Sequence, residues 1–278
     1  MKLETEVSCN AVIWITALPE CEQGPTRRMV EDVKSCMLEL KVGFQHFQIN
    51  NPEQLLQVLK NLTTYVRTKE FRPLLHLDMH GGKNDGLCAS KSGEFLSWQS
   101  LYKNLQELNK ATKNNLTVVS AACFGLYSIT TIKLNQPAPY YVLLAPEEKV
   151  YVGFLESSIP KFYQELFKSG SIDSAYNKYL SEQFEYFHCE KLLLKTIAGY
   201  VKAGCKGKTA QERREYLLTE VYRQEQEKTA EKLKSTRKRI KDGLKPDQSL
   251  LNKYASKFLV NRTCSLNMDQ ILDELDKS

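Results

Sequence analysis

Apolar positions along the chain alternate between short continuous runs and longer stretches at helical spacing. Asn10 to Leu18 is a nearly unbroken apolar run closed by Pro19, the pattern of a strand buried on both faces and therefore of a parallel sheet. From Thr26 to Val42, residues Met29, Val30, Val33, Met37, Leu38 and Leu40 recur as one face of a helix, with Gly43 as its expected stop. Phe44 to Ile49 reads as a second strand. Asn51-Pro52 then opens a helix whose buried face is Leu55, Leu56, Val58, Leu59, Leu62 and Val66. With Pro73 to Met79 as a third strand, the order strand, helix, strand, helix, strand predicts a doubly wound α/β domain. In such a domain functional groups gather at the carboxyl ends of the strands.

Short runs between Gly81 and Trp98, broken by Lys83-Asn84-Asp85-Gly86 and Lys91-Ser92-Gly93-Glu94, predict a small hairpin projecting from the sheet edge. Trp98 to Lys110 is helical through Leu101, Leu105 and Leu108. Leu116 to Gly125 (LTVVSAACFG) is an apolar, β-branched run ending in small residues, a buried strand that delivers Cys123 to its exposed end. Tyr140 to Ala145 is a fifth strand, stopped by Pro146-Glu147-Glu148. A helix is expected from Ile159 to Lys168 with Pro160 in its first turn, and another through Ile172, Ala175, Tyr176, Tyr179 and Leu180. His188-Cys189 falls in a stretch read as helical and structural.

The α/β pattern ends near residue 190, which divides the chain into an α/β domain, 1–189, and a helical extension, 190–278. In the extension, Thr209-Ala210-Gln211-Glu212 has the form of a capping box, opening a helix expected to run on into Lys228 to Lys245. Two short helices, Leu250 to Leu259 and Met268 to Leu275, close the chain.

Composition narrows the picture. The chain has 278 residues, 42% hydrophobic and 26% charged, enough apolar surface for a sizeable core. No apolar run reaches the roughly 18 residues that a membrane helix needs. The opening Met-Lys-Leu-Glu-Thr-Glu is acidic where a signal peptide would be basic and then apolar, so a cytoplasmic protein without membrane partners is expected. The 8 cysteines stand singly, without a C-x-x-C pair, which suggests reduced thiols and neither a zinc site nor a disulfide framework. Net charge is +6, and the segment Lys228 to Lys245 alone carries eight cations against Glu231 and Asp242. That basic helix could contact phosphates. It lacks interleaved aromatics, however, and a solvated face or a contact with a protein partner fits it better than nucleic acid.

Two strand ends carry the candidate chemistry. Pro73 to Gly82 ends in His80-Gly81-Gly82, and Leu116 to Gly125 ends in Cys123-Phe124-Gly125. On one rim of a parallel sheet, with neighbouring strands about 4.8 Å apart, His80 and Cys123 can meet although distant in sequence. An imidazole beside a thiol gives a base and a nucleophile. Gly81 lets the backbone pass close to a substrate carbonyl, so its amide and that of Cys123 could form an oxyanion hole. His76, mid-strand, reads as core, and Asp78 as engaged in local hydrogen bonds. Glu20, Glu22, Arg27 and Arg28 after the first strand take no assignment.

His-Gly at one strand end, Ser-Ala-Ala-Cys-Phe-Gly at the next, a hairpin between them and the downstream segment FYQELFKSG resemble the caspase-like cysteine peptidases. Within that clan the chain is most similar to prokaryotic caspase-like and CHAT-type proteases. The resemblance covers roughly residues 8 to 185. It implies a caspase-hemoglobinase fold, endopeptidase activity with His80 as general base and Cys123 as nucleophile, and no metal or organic cofactor. It also implies a protein substrate in bacterial defence or regulated cell death. Caspases place a glutamine two residues before the cysteine, and metacaspases an aspartate. Here that position is Ala121, so a preference for aspartate at P1, the substrate residue before the cut bond, is not expected. Glu147 and Glu148, just past the fifth strand, could select a basic P1 residue, or could be helix-start or solvated carboxylates. The rival expectation is a catalytically silent domain whose helical extension binds nucleic acid or a protein.

Overall fold

The computed structural model describes residues 5, 7–89, 93–204, 207–224 and 229–276. In chain order the first elements are β1 (Ala11–Thr16), a 3₁₀ turn (Glu20–Glu22), α1 (Gln23–Glu39), β2 (Gly43–Gln48), α2 (Pro52–Thr68) and β3 (Pro73–Asp78). Three short strands follow, β4 (His80–Gly82), β5 (Gly86–Cys88) and β6 (Phe95–Leu96), then α3 (Trp98–Ala111), β7 (Thr117–Ser120), a 3₁₀ segment (Gly125–Thr131) and β8 (Val142–Ala145). The remainder is α4 (Val152–Ser169), α5 (Ile172–Tyr179), β9 (Glu185–His188), α6 (Cys189–Gly204), α7 (Gly207–Gln224), α8 (Ala230–Gly243), α9 (Gln248–Phe258) and α10 (Met268–Asp276).

The main sheet has the order β2-β1-β3-β7-β8-β9, parallel through β8 and antiparallel at β9. Every residue of β1, β3, β7 and β8 is buried, the reason these strands read as continuous apolar runs. Alternate side chains feed two cores. Val12, Trp14, Leu74 and Val119 face α1 and α4, and Ile13, Ile15, Leu75, Leu77 and Val118 face α2 and α3. The first of these cores continues past residue 190 through Leu193 and Ile197 of α6, Phe258 of α9 and Ile271 of α10.

Several boundaries depart from the sequence pattern. Helix α1 ends at Glu39, and Lys41, at φ 56°, takes the left-handed position expected of Gly43, which instead begins the edge strand β2. Leu38 faces solvent, 79% exposed, at the end of that helix. Pro160 lies inside α4 and not in its first turn. An interior proline costs about 3 kcal/mol, offset here by burial of Leu155, Ile159, Phe162, Tyr163 and Leu166 along one face. His188 ends β9, a strand that the pattern does not announce because Glu185–His188 is an edge paired on one side to β8. Helices α7 and α8 replace the single helix expected from residue 209 to 245; Lys228 and the side chain of Thr209 lie outside the described residues.

The expected hairpin is a three-stranded antiparallel sheet, β4-β5-β6, and it springs from the end of β3 in the middle of the main sheet, not from its edge. Residues 90–92 of that hairpin lie outside the described residues. The Trp98 indole donates to the Lys83 carbonyl at 3.1 Å, tying the first turn of this small sheet to α3.

Candidate active site

β3 and β7 are parallel neighbours with Leu77 opposite Ser120, so the chain leaves both strands on the same rim. His80 follows β3 by two residues, opens β4 and is exposed. Cys123 follows β7 by three residues and is half-buried. Their backbones approach closely at the next residue: a Cβ on Gly81 would collide with the Cys123 carbonyl oxygen, so nothing larger than glycine fits there. Among the described residues no hydrogen bond joins His80 to Cys123.

Cys123 sits in a tight turn. The Gly125 amide donates to the Ala122 carbonyl at 3.0 Å, and Phe124 between them has φ 58°, the left-handed conformation that a type II turn needs at its third residue. The Phe124 amide donates to the Glu148 carbonyl at 3.0 Å and that of Leu126 to Pro146 at 3.1 Å, which fixes the cysteine turn against the loop after β8. A Cβ on Gly125 would meet Ser120 Oγ at 2.7 Å, so this glycine too is demanded by close approach.

The imidazole of His80 has a partner that the sequence left unassigned. Its Nε2 lies 2.7 Å from Oε2 of Glu22, in the 3₁₀ turn after β1. The carboxylate can only accept, so Nε2 carries the proton. Asp78 is buried and accepts from Thr26 Oγ1 at 2.7 Å. Burial pushes its carboxyl up to about 6, with the Thr26 hydrogen bond working against that rise. Its partner is on α1, 52 residues away, and not in its own stretch of chain as expected.

Two of the other histidines, His76 and His188, belong to the core. His76 stacks on Trp14 at 3.6 Å and bonds the Tyr163 hydroxyl at 2.9 Å, and burial depresses it to about 3. His188 accepts from the amides of Glu190 at 3.2 Å and Lys191 at 3.4 Å at the start of α6, and burial lowers it to about 4.

The candidate substrate residues separate. Ala121 is 5% exposed, packed in the core beneath the turn. Glu147 and Glu148 are exposed and line an open groove of about 850 Å³ that Phe124, the residue after Cys123, also lines. Tyr127 and Lys83 form another wall, with the Lys83 ammonium 4.9 Å from the Tyr127 ring centre. Glu182 and Glu185 also line it, and against Lys83 and Lys149 the groove holds more carboxylates than cations.

Among the described residues seven cysteines stand outside any disulfide, and no cluster of three His, Cys, Asp or Glu side chains could hold a metal ion. No helix in the described residues is long and apolar enough to cross a membrane. The chain matches no family model and no curated protein.

Proposed function

We propose that the chain is a cysteine endopeptidase of the caspase-like clan, with Cys123 as nucleophile and His80 as its acid-base partner. The observation that carries this reading is the meeting of the two strand ends, where the backbone at Gly81 presses on the carbonyl of Cys123. Support also comes from the sheet order β2-β1-β3-β7-β8-β9 with an antiparallel last strand, and from the small sheet inserted after β3. The small sheet lies between the two motifs, where the resemblance expects a hairpin.

In the proposed reaction His80 takes the thiol proton and Cys123 Sγ bonds to the scissile carbonyl carbon, the carbonyl π pair moving onto oxygen. Amides of Gly81 and Cys123 receive that oxyanion. The carbon-nitrogen bond then breaks as His80 returns the proton to the leaving amine. Water, deprotonated by His80, then bonds to the acyl carbon, the carbon-sulfur bond breaks, and the proton on His80 returns to the Cys123 thiolate. The acidic groove that Phe124 lines beside Cys123 favours a peptide with a basic side chain next to the cut, and defence or regulated cell death is the setting suggested by the resemblance.

A fluorogenic peptide library with each P1 residue in turn tests this directly. Cleavage by the wild type, lost in both Cys123→Ala and His80→Ala with unchanged circular dichroism, is expected. Cleavage retained in either variant would sink the assignment.

The charge on α7 and α8 favours a second reading, a silent domain whose helices bind nucleic acid. A groove of about 360 Å³ between them is lined by Arg214, Arg237 and Lys241, although Arg237 is paired to Glu215 at 3.5 Å. Salt-dependent binding of an RNA or DNA oligonucleotide by the full chain, together with no labelling of Cys123 by an electrophilic peptide, would favour that reading.

A further inference from the structure

We propose that Glu22 is a positioning residue for His80, so that carboxylate, imidazole and thiol work as a three-part relay across β1, β3 and β7. The inference rests on the Cys123/His80 reading above and adds a member to it.

The first support is topology. β1, β3 and β7 are consecutive neighbours in the sheet, and the chain leaves each at the same rim. Glu22 follows β1, His80 follows β3 and Cys123 follows β7, the order in which a carboxylate would orient an imidazole toward a thiol.

The second is the direction of the Glu22 side chain. Glu22 is the N-cap residue of α1, yet its side chain makes no capping hydrogen bond. The carboxylate instead reaches His80, 58 residues on, at 2.7 Å. Stability does not explain that choice, because His80 and Glu22 side chains are 53% and 47% exposed and ion pairs so open to water contribute little to folding.

The third is the division of labour between the ring nitrogens. With Nε2 donating to Glu22, a neutral His80 presents its lone pair at Nδ1, where it can take the thiol proton, and the carboxylate then faces the imidazolium that results. Asp78, the other carboxyl nearby, lies inside β3 and is held by Thr26, so it leaves this role to Glu22. On β5, the residue in register with His80 is Cys88, a buried thiol.

The test uses the full chain and iodoacetamide, with the rate of alkylation at Cys123 read by peptide mass spectrometry from pH 5 to 9. Wild type, Glu22→Ala, Glu22→Asp, His80→Ala and the double variant Glu22→Ala/His80→Ala are compared. Glu22→Ala should slow alkylation near pH 7 by about tenfold and change the shape of the pH profile. Glu22→Asp should recover part of the rate, and in the His80→Ala background the loss of Glu22 should change nothing further. A Glu22→Ala rate within twofold of wild type, a faster one, or an equal loss in the His80→Ala background overturns the role of Glu22 while the Cys123/His80 pair stands. If His80→Ala itself reacts like wild type, the pair fails, and the relay with it.

Discussion

Gly81 and Cys123 are packed closely at the backbone: the Cys123 carbonyl oxygen occupies the space where a side chain on Gly81 would begin. This contact fixes the hairpin carrying His80 against the turn carrying Cys123, and it offers the most direct test of the site.

Gly81→Ala must push the two backbones apart. A loss of about 2 kcal/mol or more in urea unfolding is expected, with slower alkylation of Cys123. Gly153, inside α4 with open space around its missing side chain, is the control. Gly153→Ala should leave Cys123 reactivity unchanged and gain a few tenths to about 1 kcal/mol.

The groove carboxylates predict a selectivity effect separate from catalysis. Replacing Glu147 and Glu148 together by glutamine should lower the ratio of kcat/KM for arginine over alanine at P1 by about tenfold, measured with matched fluorogenic peptides. Neutral substrates should be cut as before. Ala121→Asp, beneath the turn, should instead be read in stability, because it buries a carboxyl in the core.

His76 makes stability depend on acid. Its folded-state value is depressed to about 3 from an ordinary 6.5, so below pH 6.5 the unfolded chain binds a proton that the folded chain refuses. The stability it contributes is present above pH 6.5 and is lost as pH falls toward 3, amounting to about 2 kcal/mol by pH 5. Urea unfolding at pH 7 and pH 5 measures this. The change between the two pH values should shrink by about that amount in His76→Gln, whatever the static cost of the substitution. An unaltered pH difference would show that His76 does not carry it.

Pro160→Ala restores an amide that can donate to the Glu156 carbonyl one turn back in α4. A gain of about 1 to 2 kcal/mol in urea unfolding is expected, the restored hydrogen bond and relieved ring clash outweighing the greater freedom of the unfolded chain. An unchanged or lower midpoint would mean that the α4 backbone has settled around the ring.

Much of this was legible in the residue order. The apolar runs at Ala11–Thr16, Pro73–Asp78 and Thr117–Ser120 announce strands because both of their faces are buried. The spacing in α2 and α3 announces helices, and Asn51 marks the start of α2 by accepting a main-chain amide. His80 and Cys123 could be picked out because glycines and small residues follow buried strands at both places. β9 and the interior position of Pro160 were not legible, since an edge strand carries a weak pattern and burial of one helix face overrides a local proline penalty.

What the sequence determined by itself was most elements of the α/β part and the two residues that end on the rim, because periodicity and glycine placement are local. Only the tertiary structure decided that Glu22, 58 residues before His80, is the group its imidazole meets, and that Glu147 and Glu148 face a groove while Ala121 is buried. Those relations depend on strand order and on how loops from separate strands converge, and local spacing carries no record of either.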